Sequence, residues 1–221
     1  MIFKIMVAHR YKKIIKMKKL LLSMSFLALL ITACNTERKD ATNDSPKVAL
    51  SNSPVDTAAM NKAWAAYMTP GDVHKMLSKA DGKWDAEITF YIGRDTIVNK
   101  ATCETEMILG GRYQKSEYEG DVDGMPFEGV NTLAYDNSRK IYISTWIDNM
   151  GTGLLYLEGT FDDKTMTMNL KGKATDVTTG KDIMMRETVK IIDEKTQQMH
   201  MYDTKEGAPE VKTMSILLRK R

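Results

Sequence analysis

The residues able to do chemistry in this sequence are few. Beyond Cys34 it holds two histidines, His74 and His200, and one further cysteine, Cys103. There is no H-E-x-x-H, C-x-x-C, G-x-S-x-G or phosphate-loop pattern. A zinc site would need more ligands of the usual kind than these. A reactive cysteine wants a histidine partner and a depressed pKa. Nothing near Cys103 supplies one, so an inert buried thiol is expected. Enzyme chemistry would rest on carboxylates, Tyr and Arg alone, with Asp148 as the acid for a hydrolytic or isomerising step. No nucleophile–base pair accompanies it, and the reading leans away from an enzyme.

Binding chemistry is better represented. In 140–148, Tyr142, Ser144, Trp146 and Asp148 alternate with Ile141, Ile143 and Ile147. The first set, with Tyr135 before it, has the apolar bulk and few polar handles of a ligand wall. The alternative is plain packing by Tyr142 and Trp146, with Asp148 starting a turn. Arg112, Glu117 and Glu128 fall where neighbouring strands could join them around a ligand carboxylate, or they are a solvated outer face. Thirteen methionines follow residue 57, and such side chains adapt to a flexible ligand as well as to an ordinary core. Asp121 and Asp123 before Gly124 hint at calcium, but a hairpin turn explains them.

These residues sit on elements of two kinds. Ala58 to Met68 has a helical stripe of Met60, Trp64 and Tyr67 or Met68, stopped by Thr69-Pro70-Gly71. Asp72 can cap a second short helix with Val73, Met76 and Leu77 on one side. After Gly82 the period becomes two. Trp84, Ala86, Ile88, Phe90 and Ile92 alternate with Asp85, Glu87, Thr89 and Tyr91. About nine more strands follow, near 96–109, 112–119, 125–135, 139–147, 153–161, 164–172, 182–193, 196–204 and 210–219, separated by Gly, Asp and Asn turns. The fold class is therefore all-β. Ten twisted strands joined by short turns predict an antiparallel up-and-down barrel, which closes to remove its edges. One or two short N-terminal helices precede it, and residues 58–221 form the barrel domain.

The rest of the chain gives an address. Leu20 to Ala33 is an uncharged apolar run behind Lys18 and Lys19. It is short for a membrane span, which takes about 20 residues, and it has the layout of a signal peptide over 1–33. Residues 1–16 fit poorly in front of it, and Met17 is the more natural start, with a long basic leader as the rival. Ile31-Thr32-Ala33-Cys34 resembles the bacterial lipobox, in which the Cys carries lipid. Residues 34–57 then read as a lipidated Cys34 and a flexible tether. Asn35 lacks the Asp that commonly retains lipoproteins at the inner membrane, which favours the outer membrane of a two-membrane bacterium. Seven of the 32 Lys and Arg precede Cys34 and none of the 29 Asp and Glu does. The remainder thus carries 25 basic against 29 acidic residues, and a net charge of −4 leaves no electrostatic case for nucleic acid.

Gly82-Lys83-Trp84 before the first strand and Arg219 near the end resemble the calycin barrels, the lipocalins and fatty-acid-binding proteins. That resemblance implies a floor closed by Trp84 with Arg219 packed on its ring. A second set of motifs is similar to a bacterial family known only as a domain of unknown function. It comprises Gly82-x-Trp84, Leu109-Gly110-Gly111-Arg112-Tyr113, Glu117-Tyr118-Glu119-Gly120, Phe127-Glu128-Gly129, Tyr135-Asp136-Asn137 and Thr145-Trp146-Ile147-Asp148. That resemblance implies a calycin-type barrel and no activity. A haem-binding branch of ten-stranded barrels, resembling nitrobindin, uses one His on iron, and His200 is the residue that could serve here.

The expectation is an envelope lipoprotein whose barrel binds a small apolar or amphipathic ligand without catalysis and without a cofactor. A barrel filled by its own side chains, serving structure or protein interaction, is the alternative; haem on His200 is a further one. The membrane, through the lipid anchor, is the expected partner, and protein partners are unassigned.

Overall fold

The computed structural model describes residues 56–221. The expected signal peptide and lipobox, Cys34 and nearly all of the expected tether lie outside the described residues. Two helices come first, α1 (Thr57–Met68) and α2 (Asp72–Ser78). Ten strands follow: β1 (Gly82–Ile92), β2 (Asp95–Ile108), β3 (Tyr113–Val122), β4 (Met125–Asp136), β5 (Ile141–Asp148), β6 (Leu155–Asp162), β7 (Thr167–Thr175), β8 (Asp182–Asp193), β9 (Thr196–Thr204) and β10 (Val211–Lys220). Each pairs antiparallel with the next, and β10 returns to pair with β1, closing the barrel.

The strands expected from alternation are all present. The largest difference is β7, which begins later than its apolar run suggests, because Met166 adopts a positive φ of 51° and extends the preceding turn. At Asp123-Gly124 both residues have positive φ, the hairpin geometry that an Asp-Gly pair favours. Asp121 accepts from the Gly124 amide, so these acids serve the turn.

Alternation sorts every strand into an outer and an inner face. Trp84, Ala86, Ile88 and Phe90 of β1 face inward, opposite Cys103, Ala101, Asn99 and Ile97 of β2. Cys103 is buried, and burial pushes its thiol pKa up, as expected of an inert core thiol. Gly159 is an inward position of β6 where a side chain would collide with the Asn169 backbone on β7. Only glycine permits that close approach at a tightly curved point of the wall.

The α2 segment is fastened to one end of the barrel through its C-terminal carbonyls, which a helix leaves unpaired. Gln114 Nε2 donates to Leu77 O at 2.7 Å, Trp84 Nε1 to Ala80 O at 2.9 Å, and Lys220 Nζ to Lys79 O at 3.0 Å. Asp72 is not its cap. Gly71 holds that position, and its amide donates to His74 Nδ1 at 3.1 Å. His74 is accordingly buried. The α1 helix starts at Asp56, whose side chain accepts from the amides of Ala58 and Ala59. Its expected apolar stripe stays exposed, with no residue of α1 buried.

The floor is closed by Trp84, 2% exposed, but the cation over its ring is Lys220 at 5.4 Å, not Arg219. Parity decides this. Ile216, Leu218 and Lys220 share the inward face, while Arg219 pairs with Asp85 and is exposed. Trp84→Ala should lower the unfolding free energy by about 3–5 kcal/mol in urea titrations, as other buried aromatic truncations do. Arg219→Ala should change it by less than about 0.5 kcal/mol.

Candidate functional site

The barrel is hollow. Its interior encloses a cavity of about 540 Å³ that runs from the α2 end toward the turns at the opposite end. Most of its wall is apolar, with Ile88, Phe90, Leu133, Leu170 and Ile216 prominent. Six methionines join them: Met76, Met166, Met168, Met199, Met201 and Met214. Of the two roles that the sequence left open for its methionines, these six border the cavity. The buried core correspondingly divides into two clusters. One gathers around Trp84, Cys103, Tyr118 and Ile216, and the other around Leu77, Tyr142, Leu157 and Leu170.

The β5 face expected to form a ligand wall does point inward, and two parts of it behave differently. Ser144, Trp146 and Asp148 line the cavity. The Trp146 ring lies edge-on to Tyr118, with centroids 5.4 Å apart, and stacks with Phe127 at 6.2 Å. Its position requires Gly129 on β4, because a Cβ there would overlap the indole. Asp148 accepts from Trp146 Nε1 at 2.7 Å and from the amides of Met150 and Gly151. It therefore orients the indole and starts the turn at once, and its oxygens are occupied by donors. Asn131 reaches across to Ser144 at 2.7 Å, and Thr105 bonds Ser116 at 2.9 Å. These groups give the apolar wall a small polar strip.

Tyr135 and Tyr142 also point inward but do not line the cavity. Their rings pack 5.0 Å apart beneath α2, with His74 against Tyr135 and Phe161 against Tyr142. Burial, then Tyr135 and Asp163, push the Tyr142 hydroxyl up to about 12. These two tyrosines are packing.

The expected Arg112–Glu117–Glu128 cluster does not form. Arg112 lies in the β2–β3 turn and donates to the Leu109 carbonyl. Glu117 faces outward and pairs with Lys115 at 3.3 Å. Glu128 is exposed on the outer face of β4, opposite Glu119. His200 alternates with Met199 and Met201, which line the cavity, so its ring lies on the outside of β9 beside Tyr202. Haem ligation from within the barrel through His200 finds no support. Among the described residues no three His, Cys, Asp or Glu side chains converge as a metal site.

Glu187 is the residue that the sequence reading missed. It stands midway along β8 with its neighbours in register, Leu170 of β7 and Met201 of β9. It is 6% exposed and lines the cavity. Its carboxyl makes no hydrogen bond or ion pair among the described residues. Burial alone raises its pKa from the ordinary 4.5 to about 7. Across the cavity, burial, Cys103 and the charge of Glu187 hold the Tyr118 hydroxyl well above its usual range. A sequence signal existed: Ile183, Met185, Val189 and Ile191 share a parity with Glu187, so a lone acid stands in phase with an apolar face.

Residues 69–220 match a family described as "Protein of unknown function (DUF1579)", and the chain belongs to it. No curated protein matches the chain. Among solved structures, the crystal structure of Rv2717c from M. tuberculosis is similar, with a TM-score of 0.51 and 14% identity. The match covers 69% of this chain and 99% of that one. At that identity the likeness is one of fold.

The buried acid has a defined pH signature. The folded chain holds the Glu187 proton more tightly than the unfolded chain does, so stability falls as pH rises from about 4.5 to about 7 and is level above. Relative to Glu187→Gln, the native chain should lose about 3 kcal/mol across that window. Urea unfolding of both proteins at a series of pH values measures the difference. Parallel curves would refute the buried, unpaired acid.

Proposed function

We propose that this member of the DUF1579 family is a non-catalytic binding protein, whose barrel holds a small apolar or amphipathic molecule. The observation that carries this reading is the cavity of about 540 Å³ inside a closed wall. That volume lies in the range of small-molecule sites, roughly 300–1,000 Å³. A void of this size lined by side chains that could have packed is costly to keep empty, because core packing is normally close to crystalline density. The rival, a barrel filled by its own side chains, is disfavoured by the same void. The exposed residues that also line it, Lys79, Met166, Ile192, Asp193 and Glu194, lie at the α2 end, in or beside the β6–β7 and β8–β9 turns.

Native mass spectrometry of the full chain purified from its own cells tests the reading. A defined extra mass lost on denaturation is expected. An apo mass that does not shift with fatty acids, fatty amines or isoprenoids would overturn it. In the same assay Trp146→Ala should weaken ligand retention by about tenfold or more, which is about 1.4 kcal/mol of binding. Its thermal midpoint should move less than that of Trp84→Ala, because one face of the indole borders open space.

The address is part of the proposal. Lipid on Cys34 and a tether over 34–57 would hold the barrel at the outer membrane, where apolar molecules partition. Cys34→Ser should leave a folded barrel that no longer sediments with membranes. Retention of that variant in the membrane fraction would defeat the anchor.

A further inference from the structure

Glu187 bears on the chemistry of what would fill the cavity. A polar group removed from water costs free energy unless a partner replaces its hydration. Glu187 is nine-tenths buried, lines the cavity and has no partner on the protein. Whatever fills the cavity at mid-depth meets this carboxyl first among polar groups of β7, β8 and β9, whose other inner side chains there are Met168, Leu170, Val189, Met199 and Met201.

The sign of the missing partner follows from the rest of the lining. The charged residues bordering the cavity are Asp148, Glu187, Asp193 and Glu194, against one base, Lys79, at the rim. Lys212 would have added a second base, since it shares a parity with Met214. A bulge at Thr213 shifts the register and turns Lys212 outward, over the Tyr91 ring at 4.5 Å. The wall facing Glu187 is aromatic, with Tyr118, Trp146 and Phe127 clustered edge-to-face and stacked. Ring faces attract cations, most strongly where water is excluded. An anionic head would enter a cavity with an acid at its centre and no base within. A cationic head would find a carboxylate and aromatic faces together.

Resting on the binding reading above, we propose that the occupant is an apolar organic cation, an amine with a hydrocarbon body, whose ammonium nitrogen pairs with the Glu187 carboxylate. Hydrocarbon fills the methionine-lined remainder. The polar strip of Asn131, Ser144, Thr105 and Ser116 offers further hydroxyl and amide partners to the head. This barrel thus differs in head-group preference from one built to hold a fatty acid.

A matched series on the full chain tests this. Dodecylamine, dodecanol and dodecanoate share one tail and are cationic, neutral and anionic at pH 8. Tryptophan fluorescence reports binding. Dodecylamine should bind more tightly than dodecanoate by about tenfold or more, with dodecanol between. In Glu187→Gln the amine should lose its advantage over dodecanol. The unaltered chain gives an independent arm should that variant fail to fold. Amine affinity should rise by about tenfold or more between pH 5 and pH 8 as Glu187 ionises, while dodecanol affinity does not. The other titratable groups on the inner faces are Tyr118 and Cys103, both held neutral by burial, Asp203 further along β9, which accepts from Thr213 at 3.2 Å, and Asp148, whose oxygens accept from Trp146, Met150 and Gly151. Equal or tighter binding of dodecanoate, an amine preference surviving in a folded Glu187→Gln chain, or a pH-independent amine affinity would overturn the proposal while leaving the binding reading intact. Binding of none of the three would remove both.

Discussion

The antiparallel pairing of β10 with β1 is the constraint on which the rest of this structure depends. It runs from Trp84 opposite Lys220 to Phe90 opposite Met214. Without it the sheet would have two open edges and no interior. With it, every strand acquires a fixed inner face, and the ten-stranded circumference sets how much space the inner side chains must fill. The pairing also brings Lys220 beside Trp84 and places both under α2. One register therefore closes the wall, seals the floor and fastens the helix.

The interior packs around two centres and leaves space between them. Its small inward residues do not border that space: Ala86 on β1 and Ala101 on β2 pack in the Trp84 cluster, the Trp146 indole takes the room that Gly129 leaves on β4, and the β7 backbone closely approaches Gly159 on β6. Larger side chains collect at two places, around Trp84 and around Leu157. The space between those clusters is the cavity. A Cβ at Gly129 would overlap the Trp146 indole. Asp148 then fixes the ring from the far side. Packing concentrated in two clusters is compatible with a stable barrel that keeps a volume for something else.

Much of this architecture was legible in the sequence because period-two alternation carries most of it. Trp84 through Phe90 announce their inner face, and so do Tyr142 through Asp148. Turn residues such as Asp123-Gly124 mark the strand ends. What alternation alone does not give is depth and parity after an irregularity. Tyr142 and Trp146 share a face, yet one packs beneath α2 and the other borders the cavity, a difference set by where the helix sits. Arg219 and Lys220 are adjacent, and only the register with β1 says which one covers Trp84. Glu117 and Glu128 look able to converge with Arg112 until pairing puts both on the outside. The bulge at Thr213 is a further example, since naive parity would place Lys212 in the cavity. Glu187 was readable in principle as the lone acid on an apolar parity. It is easily passed over, because charge on a strand usually marks the solvated face.

Glu187 also separates two explanations of the interior that volume alone leaves level. A cavity could be a by-product of closing ten strands, tolerated because end packing suffices. A by-product has no reason to contain an ionisable group, and a methionine or leucine at 187 would match its neighbours and spare the barrel an unpaired acid. The carboxyl instead sits where both adjacent strands are apolar and the facing wall is aromatic. Its burial weakens the empty fold as pH rises from about 4.5 to about 7. An opposite charge brought in by an occupant would reverse that penalty, since a buried carboxylate is strongly favoured once a cation and donors meet it. On the proposed binding reading, the cost would be borne by the empty state and relieved in a filled one. Such an arrangement would couple barrel stability to occupancy, and it would make the chemistry of the cavity the place where sequence changes alter function before they alter fold.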